Sequence, residues 1–76
     1  MNDYIVIDPK ILVGKPVIKG TRIPVTLIVN LFGQGYTIER IREAYPVLTE
    51  EAIKAALRYA EDRIEREEIY PQTEKA

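Results

Sequence analysis

The side chains that carry most enzyme chemistry are missing from this sequence. It contains no cysteine and no histidine, which removes the usual nucleophile, the usual general base and the usual zinc ligands. The remaining acidic candidates are sequence neighbours, Glu50 with Glu51 and Glu61 with Asp62, and adjacent residues on a helix point in different directions. We therefore expect a protein that is not an enzyme and has no catalytic residue, metal site or cofactor.

Two glycine-containing stretches, GKPVIKG at 14–20 and LFGQG at 31–35, raise the question of a phosphate-binding loop. Neither contains GxxxxGK[ST] or GxGxxG, the spacings that cradle phosphates. We expect Gly20 to permit a turn, and Gly33 with Gly35 to end a helix through positive φ angles. No small-molecule substrate is expected.

Seven cations are candidates for contacts to DNA phosphates. They are Lys15, Lys19, Arg22, Arg40, Arg42, Lys54 and Arg58. Two observations oppose DNA binding: the net charge is −1, and Glu50 with Glu51 would bring negative charge to the first turn of a recognition helix. DNA binding therefore stays open. For Arg22 the alternative is an ion pair with a carboxylate that pins a turn.

The elements that would position these cations are two short strands followed by three helices. Tyr4–Ile7 and Val17–Ile18 have the composition of strands. Because two isolated strands are barely stable in water, we expect them to pair with each other and with a second copy of the chain. Pro24 suits the first position of helix one, whose apolar residues cover nearly its whole circumference and predict a central helix.

Threonines mark the starts of the other two helices. Thr37 is a suitable N-cap for a helix from about Ile38 to Tyr45, which Pro46 ends. Thr49 caps the third helix, with Glu50 and Glu51 in its first turn. The apolar stripe of this helix is Ile53, Ala56, Leu57, Ala60 and Ile64. Tyr36 and Tyr45 are expected to pack at the edge of the core.

The chain length favours a dimer. Seventy-six residues build only a small core, and without cysteine or metal ligands the remaining way to enlarge it is to oligomerise. We expect one domain over residues 1–69 and a mobile tail over 70–76. No signal peptide and no apolar stretch of membrane-spanning length is present, so a cytoplasmic protein is expected.

The segments GKPVIKGTRIPV and LFGQGYTIERIREAYPVLTEEAIKAALRYA resemble the pattern of the Domain of Unknown Function 433 proteins. The shared features are G-x-P-x-x-x-G-T-R-x-x-V and Y-P-x-L-x-x-x-x-I-x-x-A-L-x-Y-A, over about Tyr4 to Ala60. The resemblance implies a mainly α fold: a homeodomain-like, three-helix helix-turn-helix bundle with a short N-terminal β arm, which dimerises.

The resemblance also implies a function. Such proteins are similar to VapB-type antitoxins, so the expected partners are a second copy, a PIN-like toxin ribonuclease and the promoter DNA of the same operon. The acidic end of the chain contains Ile64, Ile69 and Tyr70, which suit docking into a basic nuclease groove. The alternative is a protein-interaction adaptor of the same fold that does not bind DNA.

Overall fold

A small antiparallel hairpin precedes three helices, so the molecule is mainly helical, as the sequence predicts. The computed structural model describes residues 3–67, and the side chains of residues 3–64. The predicted tail at 70–76, together with Ile69 and Tyr70, lies outside the described residues. The elements are β1 (Ile5–Ile7), β2 (Pro16–Ile18), α1 (Val25–Gly33), α2 (Ile38–Ala44) and α3 (Glu50–Glu67).

The two strands pair antiparallel, with Val6 opposite Val17 at the centre. This confirms the predicted pairing within the chain, although β1 begins one residue after Tyr4 and β2 already includes Pro16. Ile5 and Ile18 lie opposite each other and are both buried in the core. The alternation of side chains along each strand therefore places one face of the hairpin on the helices.

The loop between the strands contains a tight turn with left-handed backbone. Leu12, Val13 and Gly14 have φ angles of 51°, 58° and 82°. Glycine adopts this region freely, whereas a β-branched residue such as valine does so only under strain. We refer to Leu12–Gly14 as the left-handed turn.

The prediction that Pro24 is the first residue of helix one was wrong. The backbone of Pro24 is extended, with φ −76° and ψ 151°, and α1 begins at Val25. Pairing with the hairpin explains the difference, because Pro24 forms a β-bridge with Val17 and the N–H of Ile18 donates to Ile23 O at 2.9 Å. Proline fixes φ near a value that extended and helical backbone share, so it suits either role.

Only one of the two glycines predicted to end α1 has a positive φ. Gly33 is the last helical residue, while Gly35 has φ +99°. The N–H of Gly35 donates to Phe32 O and the N–H of Tyr36 to Leu31 O, both at 3.0 Å. This is the Schellman pattern, in which a single left-handed residue two positions beyond the helix satisfies its last carbonyls.

The threonine caps are confirmed. Thr37 Oγ1 accepts a hydrogen bond from the N–H of Arg40, and Thr49 Oγ1 accepts one from the N–H of Ala52, both at 3.1 Å. α2 ends at Ala44, one residue earlier than predicted, because Tyr45 leaves the helical region with φ −132° immediately before Pro46.

The core draws one or more fully buried side chains from almost every element. The largest are Ile28, Ile41, Leu48 and Ile53. Val17 is also fully buried, but it lies outside this cluster, on the face of the hairpin opposite to Ile18. Tyr36 and Tyr45 pack against this core with partly exposed side chains, as predicted. Among the residues that the structure describes, no helix combines the length and apolarity that a membrane span requires.

Two predictions about the apolar helix faces need correction. α1 buries only Val25 and Ile28, and Phe32 is 46% exposed, so α1 is not surrounded. α2, α3 and β2 all contact α1, but in a domain this small they leave part of its circumference, including Phe32, exposed among residues 3–64. The stripe of α3 ends at Ala60, because Ile64 is 67% exposed. The buried face is wider than predicted and also includes Ala52 and Ala55.

Candidate interaction surfaces

Three of the predicted DNA-binding cations lie on the arm, which we define as residues 4–24. They are Lys15, Lys19 and Arg22, all exposed, and we call them the arm cations. Lys15 immediately precedes β2, and Lys19 directly follows it. The three side chains therefore belong to one short segment, residues 15–22, which includes β2.

The turn that joins the arm to α1 is held by the Thr21 side chain. Thr21 Oγ1 donates to Ile18 O at 2.8 Å and accepts from the N–H of Ile23 at 3.0 Å. Gly20 has φ +82°, and a Cβ added there would meet no atom within 4 Å. Glycine is thus needed at this position for the backbone angle and not for space.

Arg22 makes no ion pair with any side chain among residues 3–64. The ion pair with a carboxylate that was considered for Arg22 is therefore absent from the described part of the chain. The hydroxyl of Thr21 fixes this turn instead, through the two hydrogen bonds given above. The guanidinium of Arg22 keeps its hydrogen-bonding capacity for solvent or a partner.

Arg40 and Arg42 on α2 do not share a face. They are two residues apart, which is a rotation of about 200° around a helix. The guanidinium of Arg40 lies over the Tyr36 ring, with its Cζ 4.9 Å from the centroid. Such a cation–π contact orients the side chain toward the N-terminal end of α2.

The outer face of α3 carries more negative than positive charge. Lys54 and Arg58 lie one turn apart, within about 120° of arc that also contains four acidic side chains. Those acids are Glu50, Glu51, Glu61 and Asp62, and all six residues are exposed. Lys54 Nζ is 3.0 Å from Glu50 Oε2, with both side chains about half exposed. The surface predicted to touch DNA phosphates is therefore acidic on balance.

The end of α3 leaves the core. Ala60 packs against the core, but the side chains of residues 61–64 are all exposed while the helix continues to Glu67. Of the three predicted toxin-binding residues, only Ile64 is described, and it is 67% exposed. Ile64 thus lies on a helical extension whose sequence, Glu61-Asp62-Arg63-Ile64-Glu65, has three acids and one cation. The guanidinium of Arg63 lies over the Tyr59 ring.

Exposed apolar residues on the arm were missed by the sequence reasoning. Ile7 in β1 is 57% exposed and Val13 in the left-handed turn is 91% exposed. The run Ile11-Leu12-Val13 before Gly14 was a usable signal, because three apolar residues outside any predicted strand or helix have no obvious core position. These residues make the arm a candidate surface for protein contacts as well as for phosphates.

Comparison with known proteins places these surfaces in a family. The family model "Protein of unknown function (DUF433)" matches residues 5–60. The chain belongs to this family. The resemblance over Tyr4 to Ala60 is thereby confirmed almost to the residue.

One solved structure shares the fold described above, and two curated proteins share parts of the sequence. A crystal structure of a DUF433 member protein from Anabaena variabilis has a TM-score of 0.78 and 36% sequence identity, and the match covers 84% of this chain and 63% of that one. The uncharacterized protein y4eO of Sinorhizobium fredii is 41% identical over 60 residues, which are 79% of this chain but 27% of that protein. An uncharacterized protein of Archaeoglobus fulgidus is 63% identical over 29 residues, or 38% of this chain and 81% of that one.

Proposed function

We propose that this DUF433 protein is an antitoxin-like component of a toxin–antitoxin module, a cytoplasmic dimer that binds and neutralises a PIN-like ribonuclease. The observation that supports this proposal is the end of α3, where a helix leaves its own core and exposes Ile64. A helix that serves only its own domain gains little from continuing beyond its last core contact at Ala60, whereas a partner would cover the extension.

The chemistry of this extension suits the groove of a nuclease. RNA-binding grooves are basic, and an acidic helix with an apolar anchor offers both charge complementarity and a hydrophobic contact. Glu61 and Asp62 are exposed one turn or less before Ile64. An α3 seated in such a groove would occupy the place of the RNA phosphates and block the enzyme.

The test is binding and inhibition of a PIN-like ribonuclease encoded beside this protein. Ile64→Lys should weaken binding at least about tenfold, because it replaces the apolar anchor with a charge that the basic groove repels. Val47→Lys is the matched control, since Val47 is 65% exposed in the turn before α3 and its substitution should leave affinity unchanged. Equal affinities for the two variants, or no binding by the unsubstituted protein, would contradict the proposal.

DNA binding by a helix-turn-helix formed from α2, the turn at residues 45–49 and α3 is the second candidate. It is favoured by the arm cations, which are exposed and make no ion pair with a side chain among residues 3–64. The acidic outer face of α3 argues against deep insertion in a groove. The arm cations would then supply most of the phosphate contacts, with Arg40, Arg42, Lys54 and Arg58 as further candidates.

A salt titration of binding to the upstream DNA separates this candidate from the adaptor alternative. Phosphate contacts release counterions, so affinity should fall steeply as salt is added, and Lys19→Gln or Arg22→Gln should each lower the slope by about 1. Lys54→Gln is the comparison, because Glu50 already neutralises Lys54, and it should change the slope less. Absence of binding, or binding that salt does not change, would favour the adaptor that does not bind DNA.

A further inference from the structure

The outer edge of β1 is open, and its hydrogen-bonding groups can be assigned from the register. The N–H of Lys19 donates to Tyr4 O at 2.7 Å, which makes these two residues a hydrogen-bonded pair. Such pairs alternate along an antiparallel ladder. Val6 therefore bonds toward Val17, and the N–H and C=O groups of Ile5 and Ile7 point away from β2.

The opposite edge of the hairpin is already occupied. On β2, the N–H of Ile18 donates to Ile23 O, and Val17 forms its bridge with Pro24. No residue within 3–67 makes a corresponding backbone bond to Ile5 or Ile7 on the outer edge of β1. Of the two edges of this sheet, β1 is the one that the described chain leaves unpaired.

The β1 edge also lacks the features that usually protect edge strands. Its sequence is Ile-Val-Ile, without proline, lysine or an inward-pointing charge, and only its short length limits pairing with another strand. Ile7, which is 57% exposed, lies on the same face of the strand as the buried Ile5. A strand added at this edge would lie beside Ile7 and place one of its own side chains next to that of Ile7, on the same face of the sheet.

We propose that β1 pairs antiparallel with β1 of a second copy of this chain, about a two-fold axis at Val6. Ile5 then lies opposite Ile7 of the second copy, and Ile7 opposite Ile5, so that each pair exchanges two backbone hydrogen bonds. The two hairpins form one four-stranded antiparallel sheet. A two-fold axis requires a self-complementary edge, and the Ile-Val-Ile edge with both outward residues able to donate and accept fulfils this condition.

The neighbouring registers are less favourable for reasons visible in the chain. Outward-pointing residues are the odd-numbered ones, so the next antiparallel register in one direction pairs Ile5 with Pro9, which has no N–H to donate. In the other direction Ile7 would pair with Asp3, which lies in a turn and not in the strand. Centred on Val6, the hydrogen-bonded pairs use only the strand residues Ile5 and Ile7. Just outside the strand, Asp8 lies opposite Tyr4, without like charges face to face.

This pairing describes how the two chains of the proposed antitoxin dimer contact each other. Only its biological role rests on the proposed function. It is tested by cysteine cross-linking, since the natural chain contains no cysteine. Two Val6→Cys chains would face each other as a non-hydrogen-bonded pair with Cα atoms about 4.5 Å apart, which suits a disulfide. Two Ile7→Cys chains would be separated by about 8–9 Å, too far to bridge.

The expected result is that mild oxidation converts Val6→Cys into a disulfide-linked dimer and leaves Ile7→Cys at least about tenfold less cross-linked. Equal cross-linking of the two variants, or preferential cross-linking of Ile7→Cys, would overturn the proposed register. If Val6→Cys fails to fold, as judged by loss of helical circular dichroism, the oligomeric states of Ile7→Lys and Ile64→Lys test strand pairing instead.

Ile7→Lys and Ile64→Lys make the same substitution at two exposed isoleucines, one on the β1 edge and one at the end of α3. Sedimentation should give a dimer for the unsubstituted protein and for Ile64→Lys, and a dissociation constant raised at least about tenfold for Ile7→Lys. Ile64→Lys should instead lose ribonuclease binding, so failures of the two proposals are distinguished. A monomeric unsubstituted protein, or an Ile7→Lys variant that dimerises normally, refutes strand pairing.

Discussion

Val13 has a strained backbone conformation and a side chain that is too exposed to compensate for the strain. Its backbone lies in the left-handed region with φ 58° and ψ 38°, where a β-branched side chain is strained. At 91% exposure the side chain gains little from burial in return. The residue therefore costs stability in the isolated chain.

Val13→Asn should raise the free energy of unfolding by about 0.5–1 kcal/mol, because asparagine tolerates left-handed backbone far better than valine. The measurement is urea unfolding at one protein concentration. Val47→Asn is the control, since Val47 is also largely exposed but has no positive φ, and it should change the free energy by no more than about 0.5 kcal/mol. If Val13→Asn is less stable than Val47→Asn, the left-handed turn is not strained.

At the scale of elements, the helix starts were predictable from sequence because their signals are local. A threonine hydroxyl three residues before a free N–H is enough to cap a helix, and both Thr37 and Thr49 do so. The start of α1 was mistaken at Pro24 because a contact across the hairpin, with Val17, decides it. No property of Pro24 or of its sequence neighbours contains that information.

The candidate surfaces also have some features that follow from local sequence and others that depend on contacts between distant residues. Exposure of the arm cations follows from their charge and was predictable. The pairing of Lys54 with Glu50 follows from four-residue spacing. The absence of an ion pair at Arg22, and the open edge beside Ile5 and Ile7, depend on how the hairpin folds against the helices and required the structure.

α3 contains two isoleucines in opposite environments, and the same truncation should separate their roles. Ile53 is fully buried and Ile64 is 67% exposed. Ile53→Ala should lower the free energy of unfolding by about 2–5 kcal/mol, through lost burial and the cavity that remains. Ile64→Ala should lower it by less than about 0.5 kcal/mol. Chemical unfolding of both variants checks this, and a large loss at Ile64 would mean that α3 does not leave the core after Ala60.

At the scale of the whole molecule, positive and negative charge are separated along the chain, and each region contains an exposed apolar side chain. Residues 1–48 contain six cations and four acids, and residues 49–76 contain five cations and eight acids. The arm combines its cations with an open strand edge and the exposed side chain of Ile7, while the end of α3 is acidic around Ile64. Two partners could therefore bind at once, a second copy at the arm and a basic protein at α3.

A dimer formed by strand pairing makes stability depend on protein concentration. Because unfolding then releases two chains, a hundredfold increase in concentration should stabilise the dimer by about 2.7 kcal/mol. For two chains of this length that corresponds to a rise in Tm of about 5–10 °C. Thermal unfolding at about 1 μM and about 100 μM measures it. The Tm of Ile7→Lys should rise less between the two concentrations, because pairing at its β1 edge is weakened. A Tm of the unsubstituted protein that does not change with concentration would show that the monomer is the stable unit and that the β1 edge stays unpaired in solution.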